Sequence, residues 1–144
     1  MLPNRIVRQL YEQSTNQRES DVTLDNIEMI REVLASGLDV EKYLTDDAVW
    51  TIPGFGSYEG KREILAKLLG PMHELMESMG NSVVTNIVAQ GDCVVAESYA
   101  ENRITKAGKA YNNTYCHVYR IRDGLIEHVT EYADTALARD VFSS

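Results

Sequence analysis

The sequence predicts an α+β domain in which helices come first and an antiparallel sheet follows. Up to Gly80, apart from one short strand, apolar residues recur at helical spacing. Beyond Gly80, four long segments alternate apolar and polar residues, and tight-turn residues separate these segments. Segregation of helices from strands is typical of α+β folds, because the elements of parallel α/β folds alternate along the chain.

The N-terminal region is predicted to contain two helices joined by a polar loop. Residues 14–21, STNQRESD, indicate the loop, and residues 23–37 regain helical spacing. Gly37 is a suitable C-cap, because glycine readily adopts the left-handed conformation there. Residues 39–44, DVEKYL, predict one more short helical turn. The first helix is short, and one side of it carries Ile6, Val7, Leu10 and Tyr11.

A short strand follows at residues 46–52, DDAVWTI, and it carries the only tryptophan of the chain. Alternation places Ala48, Trp50 and Ile52 on one side of this strand. Two interpretations of Trp50 are open, since it either belongs to a closed core or lines a cavity.

The next helix is predicted over residues 60–80, where a wide apolar face recurs at helical spacing. Gly70-Pro71 should break or kink this helix, because proline removes a helical hydrogen bond and clashes with the preceding turn. Met72, Met76 and Met79 in its second half are either ordinary core residues or a yielding pocket wall.

Four long strands and a short helix complete the predicted fold. The strands are predicted over residues 81–90, 93–105, 110–121 and 125–133, with turns at Gly91-Asp92, residues 106–109 and Asp123-Gly124. Residues 134–142, DTALARDVF, predict the closing helix.

Alternation along the last two strands predicts which side chains share a face of the sheet. Tyr115, His117 and Tyr119 share one face of the third long strand, and Val129 and Glu131 share one face of the fourth. Both faces of the sheet carry apolar residues. We therefore expect helices to cover one face and a partner subunit to cover part of the other.

Composition and charge limit the class of protein. The chain has 144 residues, enough for one ordinary domain, with 44% hydrophobic and 25% charged residues, as in soluble globular proteins. The formal net charge of -8 disfavours nucleic acid and anionic membrane surfaces as partners. The longest apolar runs are shorter than a membrane span, and the N-terminus lacks the apolar centre of a signal peptide. The expectation is a cytoplasmic protein.

The cysteines and histidines give no indication of a metal site. Cys93 and Cys116 are far apart and form no CxxC pair, and no histidines cluster at ligand spacing. Neither a metal nor another cofactor is expected, and the thiols are expected to be reduced.

Three stretches of the sequence together resemble a known family. They are LTDDAVWTIPG at residues 44–54, YEGKREI at 58–64 and NNTYCHVYRIRDGLIEHVTEYADT at 112–135. In these residues the chain resembles the nuclear transport factor 2-like superfamily, close to its SnoaL-like polyketide cyclase branch and related to ketosteroid isomerases. The resemblance runs from about Asp25 to Thr135.

The resemblance implies a cone-shaped, curved antiparallel sheet wrapped by the N-terminal helices, an architecture also described as cystatin-like. The cone opens onto a mostly apolar cavity, with the loop from Gly54 to Gly60 near its mouth, and a homodimer forms through the open sheet face. As a single SnoaL-like domain over residues 1–144, the chain would divide into a helical extension at 1–22, a core at 23–135 and a tail at 136–144.

Two activities known for related families lack residues that they require. Ketosteroid isomerases use a carboxylate base, and Ile52 occupies the corresponding position, so steroid isomerisation by that mechanism is not expected. Limonene epoxide hydrolases use an Asp-Arg-Asp arrangement. Glu131 matches one carboxylate, but Ser98 and Ala100 stand where the arginine and second aspartate are required, and Arg103 lies too far along the strand to replace them.

SnoaL-like cyclases need only an acid/base group in an apolar cavity to enolise a substrate and stabilise the developing charge. On this resemblance, Glu131 and His117 are the predicted catalytic pair, because side chains on neighbouring strands reach each other. Tyrosine hydroxyls would donate to a ligand oxygen, and a carboxamide would orient a carbonyl. The predicted ligand-binding residues are Trp50, Ile52, Tyr58, Asn113, Tyr115, Tyr119 and Val129.

Two classes of function remain open at this point. The first is a cofactor-independent enzyme that transfers protons on an apolar, oxygen-bearing substrate, as a cyclase, isomerase or hydrolase does. The second is a non-catalytic ligand-binding or dimeric scaffold domain, in which Glu131 and His117 form a structural hydrogen-bonded pair. Glu131→Gln separates the classes, since it would abolish turnover by an enzyme and leave a binder's affinity unchanged.

Overall fold

A long N-terminal helix precedes a six-stranded sheet in the computed structural model, which describes residues 4–143. The helices are α1 (Asn4–Ala35), α2 (Lys61–Glu63), α3 (Gly70–Leu75) and α4 (Thr135–Phe142), with a 3-10 turn at Glu41–Tyr43 and a π-helical segment at Ile64–Leu69. The strands are β1 (Leu44–Ile52), β2 (Gly56–Glu59), β3 (Met76–Ser78), β4 (Asn81–Gln90), β5 (Cys93–Glu101), β6 (Ile104–Thr105), β7 (Thr114–Arg122) and β8 (Leu125–Ala133). This order confirms the α+β class.

The large sheet is curved and has the strand order β2-β1-β8-β7-β5-β4. The four long C-terminal strands pair antiparallel as predicted, β4 with β5, β5 with β7, and β7 with β8. The first strand, β1, for which the sequence predicted no partner, lies parallel to β8, so the sheet as a whole is mixed. These two strands are far apart in sequence, so no hairpin turn dictates their relative direction.

The predicted strand over residues 93–105 is two strands that belong to different sheets. β5 ends at Glu101, and Asn102 adopts a left-handed conformation with φ 55°, which redirects the chain. β6 then pairs with β3 in a small second sheet. Residues 106–109 form the predicted tight turn, but this turn follows β6 instead of joining two long strands. The Thr105 N–H donates to the Lys109 carbonyl across it.

The N-terminal region forms one continuous helix, so the loop predicted at residues 14–21 is wrong. The polar residues of this stretch bond along the helix, as where Gln17 donates to Asp21 four residues later. Only the C-terminal half of α1 packs on the sheet, with Ile30 and Val33 buried, whereas its first half is exposed. The polar residues at 14–21 therefore belong to the solvated surface of a helix and not to a loop. No helix within residues 4–143 is long and apolar enough to cross a membrane.

The helical region after β2 changes its winding where a break was predicted. Residues 64–69 are π-helical, and the Gly70 N–H donates to the Leu65 carbonyl, five residues earlier. Pro71 follows directly, and because it has no N–H it leaves one hydrogen bond out of the helix at this change of winding. The helix ends at Leu75 rather than near Gly80, because the next three residues pair with β6 as β3.

The main core lies between the helices and one face of the large sheet, called here the inner face. This face carries Val94, Tyr119 and Val129, and the opposite, outer face has no helix against it within the described residues. A second small core packs α4 against Met76 and Tyr111. The buried residues of the main core are Ile30, Val33, Val40, Leu44, Ala48, Trp50, Ile64, Leu69, Val94, Ala96, Tyr119, Ile121, Ile126 and Val129.

Candidate functional site

A cavity of about 320 Å³ lies between the inner face and the helices. This volume falls in the range of roughly 300–1,000 Å³ that small-molecule sites occupy. Apolar side chains from α1, β1, the π-helical segment and α3 form most of the wall. The polar side chains that line it come from the sheet at Tyr58, Ser82, Ser98, Tyr115, His117, Tyr119 and Glu131, and from other segments at Lys67, Arg103 and Tyr111.

His117 and Glu131 lie directly opposite each other on β7 and β8. The His117 Nε2 is 2.9 Å from the Glu131 Oε1, and the two side chains are 8% and 19% exposed. A β-bulge that leaves Glu127 without a partner shifts the register between the Asp123-Gly124 turn and this pair. Without that bulge, Glu131 would not stand opposite His117, so the bulge assembles the predicted catalytic pair.

The hydrogen bond with Glu131 uses one ring nitrogen of His117, Nε2, and does not involve the other, Nδ1. The Nδ1 is buried and has no hydrogen-bond partner in the described part of the chain. With Glu131 ionised, Nε2 carries the proton and Nδ1 is an open acceptor.

Two tyrosines fix the His117 ring by stacking on either side of it. The ring centroids of Tyr115 and Tyr119 lie 5.3 Å and 5.6 Å from that of His117. Residues two apart on a strand point to the same face, which produces this stack. Burial, and then the charge of Glu131, raises the pKa of the Tyr119 hydroxyl. Burial is also the main cause that raises the pKa of Tyr115, so both phenols remain hydrogen-bond donors.

Arg103 lies in the cavity wall, where the sequence did not place it. Asn102 turns the chain after β5 and ends the strand alternation, so strand position is no guide to where Arg103 points. The Arg103 Nε donates to the Met79 carbonyl at 3.0 Å, Nη1 donates to the Tyr115 hydroxyl at 3.1 Å, and Nη2 donates to the Ser82 hydroxyl at 3.4 Å. An asparagine at a strand end, which tolerates positive φ, is the signal that would have indicated this turn.

The predicted wall residues Trp50, Ile52 and Tyr58 all line the cavity. Trp50 is also part of the main core, so the two interpretations of this residue overlap. Its Nε1 is buried and has no hydrogen-bond partner in residues 4–143. Phe55, in the loop between β1 and β2, lines the cavity while remaining 48% exposed, which places this loop at the opening.

Two predicted ligand contacts lie outside the cavity wall. Asn113 is fully buried, and its carboxamide bonds within the fold to Tyr111, Thr114 and Asp134. Val129 is buried in the main core, where it pairs with Trp50 and Tyr119 on the flanking strands. Alternation predicts the face on which a side chain lies, but it does not indicate whether helices cover that position.

The architecture and the cavity define a domain of the nuclear transport factor 2-like class. The family model described as a SnoaL-like domain matches residues 34–129, which is more than half of the chain. The chain therefore belongs to the SnoaL-like family. Glu131 lies two residues beyond the end of the matched region.

Solved structures with low sequence identity share this fold. A protein provisionally assigned as a SnoaL-like polyketide cyclase from Jannaschia sp. CCS1 has 15% identity and a TM-score of 0.66, over 85% of this chain and 94% of that one. A protein provisionally named an isomerase from Bacillus subtilis has 17% identity and a TM-score of 0.69, over 83% and 94%. TerC, co-crystallised with polyporic acid, has 22% identity and a TM-score of 0.62, over 83% and 99%. A comparison with curated protein sequences gives no match.

Proposed function

We propose that this chain binds a small, largely apolar, oxygen-bearing organic molecule in its cavity and transfers a proton on it without a cofactor. The observation that carries the proposal is the 2.9 Å His117–Glu131 pair on the wall of an apolar cavity. A cyclase, an isomerase and a hydrolase each use such a proton transfer. The names of the cyclase and isomerase neighbours, and the polyporic acid bound to TerC, support a small-molecule role.

The proposed mechanism assigns separate tasks to three polar wall residues. Glu131 removes a proton from a carbon next to a carbonyl group, and His117 orients the carboxylate and stabilises its charge. The Tyr119 hydroxyl donates to the carbonyl oxygen, on which negative charge develops. The apolar wall excludes water, so these interactions are stronger than they would be in solvent.

The residues around the pair disfavour two particular reactions. Ile52 lines the cavity where the isomerase base would stand, and it cannot take a proton. Arg103 does reach the cavity, but no ion pair within residues 4–143 joins it to a carboxylate. The Asp-Arg-Asp arrangement of epoxide hydrolases is therefore not reproduced.

The experiment that tests the proposal combines binding and turnover on one panel of carbonyl compounds. Trp50 is the only tryptophan and lines the cavity, so its fluorescence reports binding there. For a compound that binds, we expect Glu131→Gln to lower turnover by about 10²–10⁴-fold and to change affinity little. Glu97→Gln, on the outer face, is the matched control and should retain turnover. Saturable binding with no turnover of any compound would favour the non-catalytic alternative.

We also propose that the chain acts in the cytoplasm as a homodimer formed through its outer face. Tyr99 and Tyr132 are exposed there, and with Glu97 and Cys116 they line a shallow groove. Exposed aromatic side chains on a helix-free sheet face favour burial against a second copy. Sedimentation velocity should show a dimer that Tyr132→Lys dissociates. A dimer that Tyr11→Lys dissociates instead would place the interface on α1.

A further inference from the structure

We propose that the ligand of this cavity carries a carboxylate, and that Arg103 and Tyr115 hold it. The inference rests on the proposed function because it concerns the same cavity. It narrows the class of the proposed ligand from any oxygen-bearing molecule to an organic acid.

Within residues 4–143, Arg103 is a buried cation that forms no ion pair with a carboxylate. Its side chain lines the cavity and the residue is only 8% exposed. A guanidinium stays charged in proteins, and a buried charge is costly unless an opposite charge compensates it. Its acceptors here are a carbonyl, a phenol and a hydroxyl, all of them neutral. The compensating anion is therefore expected to come from a ligand.

Arg103 and Tyr115 together have hydrogen-bond donors that the fold does not use. A guanidinium has more N–H groups than these three bonds use, and its planar fork matches a carboxylate in two-point contact. The Tyr115 hydroxyl accepts from Arg103 Nη1, so its own hydrogen can be donated to a ligand oxygen. Together, Arg103 and Tyr115 form a cluster of hydrogen-bond donors at one end of the stacked row Tyr115, His117 and Tyr119 on β7.

Arg103 and Tyr115 lie one strand repeat away from the His117–Glu131 pair. Tyr115 stands opposite Ala133 and His117 stands opposite Glu131, so the two sites are two residues apart along β7 and β8. That step is roughly 7 Å along a strand. A carboxylate held beside Tyr115 thus places ligand atoms several bonds away beside Glu131.

A purely structural role for Arg103 makes a different prediction. As a clamp between the Met79 carbonyl and Tyr115, Arg103 would give the cavity no preference for acids. A preference for acids would not arise from long-range attraction either, because the chain has a formal net charge of -8. An acid preference would therefore come from cations of the cavity wall, and its loss in Arg103→Met would separate the guanidinium from Lys67, which also lines the cavity.

The experiment compares 2-naphthoic acid with 2-naphthamide by isothermal titration calorimetry at pH 7. The probes match in size and differ in charge. We expect wild type to bind the acid at least about tenfold more tightly than the amide, as charged hydrogen bonds would give. Arg103→Met should reduce this ratio to near one while leaving amide affinity within about threefold. Arg62→Met, which removes an equal charge from an exposed site on α2, should keep the wild-type ratio.

Each outcome decides a separate question. Equal affinity of wild type for the two probes overturns the carboxylate proposal and leaves the proposed function standing, as does an acid preference that survives in Arg103→Met. Failure of wild type to bind either probe counts against both proposals. If Arg103→Met does not fold, the wild-type comparison still decides, and Tyr115→Phe should lower the ratio by removing the second donor.

Discussion

The imidazole Nε2 of His117 and the carboxylate Oε1 of Glu131 face each other across neighbouring strands at 2.9 Å. The stacking of Tyr115 and Tyr119 on the imidazole limits its rotation, so the hydrogen bond is held by packing as well as by charge. A pair fixed in this way needs little reorganisation when a proton moves.

A double-mutant cycle should detect this pair as an energetic unit. We expect Glu131→Gln, His117→Gln and the double variant to give a coupling free energy of about 1 kcal/mol in urea unfolding, because contacting residues are not additive. The same cycle between His117 and the outer-face Glu97 should give a coupling near zero. Additive effects at His117 and Glu131 would contradict the hydrogen bond.

Stability at high pH should depend on Tyr119. Burial raises the pKa of its hydroxyl in the folded chain, while in the unfolded chain it ionises at its usual value of about 10. Above that pH the unfolded state loses a proton that the folded state keeps. The free energy of unfolding should therefore fall by up to about 1.4 kcal/mol per pH unit from this group.

Tyr119→Phe removes that contribution and Tyr132→Phe is its control. Urea unfolding at pH 8, 9, 10 and 11 should show a smaller loss of stability in Tyr119→Phe than in wild type. Tyr132 is half exposed on the outer face, so Tyr132→Phe should follow the wild-type curve. Parallel curves for wild type and Tyr119→Phe would show that the phenol ionises equally in both states.

Strand periodicity accounts for the part of this site that the sequence predicted. Tyr115, His117 and Tyr119 alternate without interruption, and this places them on one face in any register. Glu131 follows a bulge at Glu127, where the chain inserts one residue. Its pairing with His117 depends on that local irregularity, which no turn motif specifies.

The missed features arise where tertiary contacts override local pattern. Arg103 follows a left-handed residue, so alternation gives it no direction. The parallel pairing of β1 with β8 joins segments about 80 residues apart, beyond the reach of turn chemistry. Asn113 lies within the strand predicted over residues 110–121, but the structure places it just before β7, where its side chain bonds to Tyr111 and to Asp134 beyond the end of β8.

Asn113 should contribute to stability rather than to ligand binding. Its side chain makes four hydrogen bonds in a fully buried position. Asn113→Leu retains the size but leaves the part-buried N–H groups of Thr114 and Asp134 without their acceptor, which should cost about 1–3 kcal/mol in urea unfolding. Asn86→Leu, at an exposed position on β4, should cost less than about 0.5 kcal/mol. Equal losses for the two variants would contradict the assigned role.

Gly70 should resist replacement by alanine although its backbone is helical. Gly→Ala within a helix normally stabilises by about 1 kcal/mol, because alanine has the higher helix propensity. At this position a Cβ would lie 2.7 Å from the Leu65 carbonyl oxygen, a backbone atom that the π-helical winding brings close. Gly70→Ala must therefore either unwind the π-helical segment or displace its backbone, and we expect a loss of about 1–3 kcal/mol in thermal or urea unfolding.

The sign of the Gly70→Ala effect is the informative quantity. Ala66→Gly, at an exposed position in the same π-helical segment, measures the ordinary propensity cost of about 1 kcal/mol. Leu68 and Leu69 of this segment line the cavity, so unwinding it should also weaken ligand binding as read from Trp50 fluorescence. A stabilised Gly70→Ala variant with unchanged binding would mean that the segment accommodates a side chain there, and that the cavity wall does not depend on the π-helical winding.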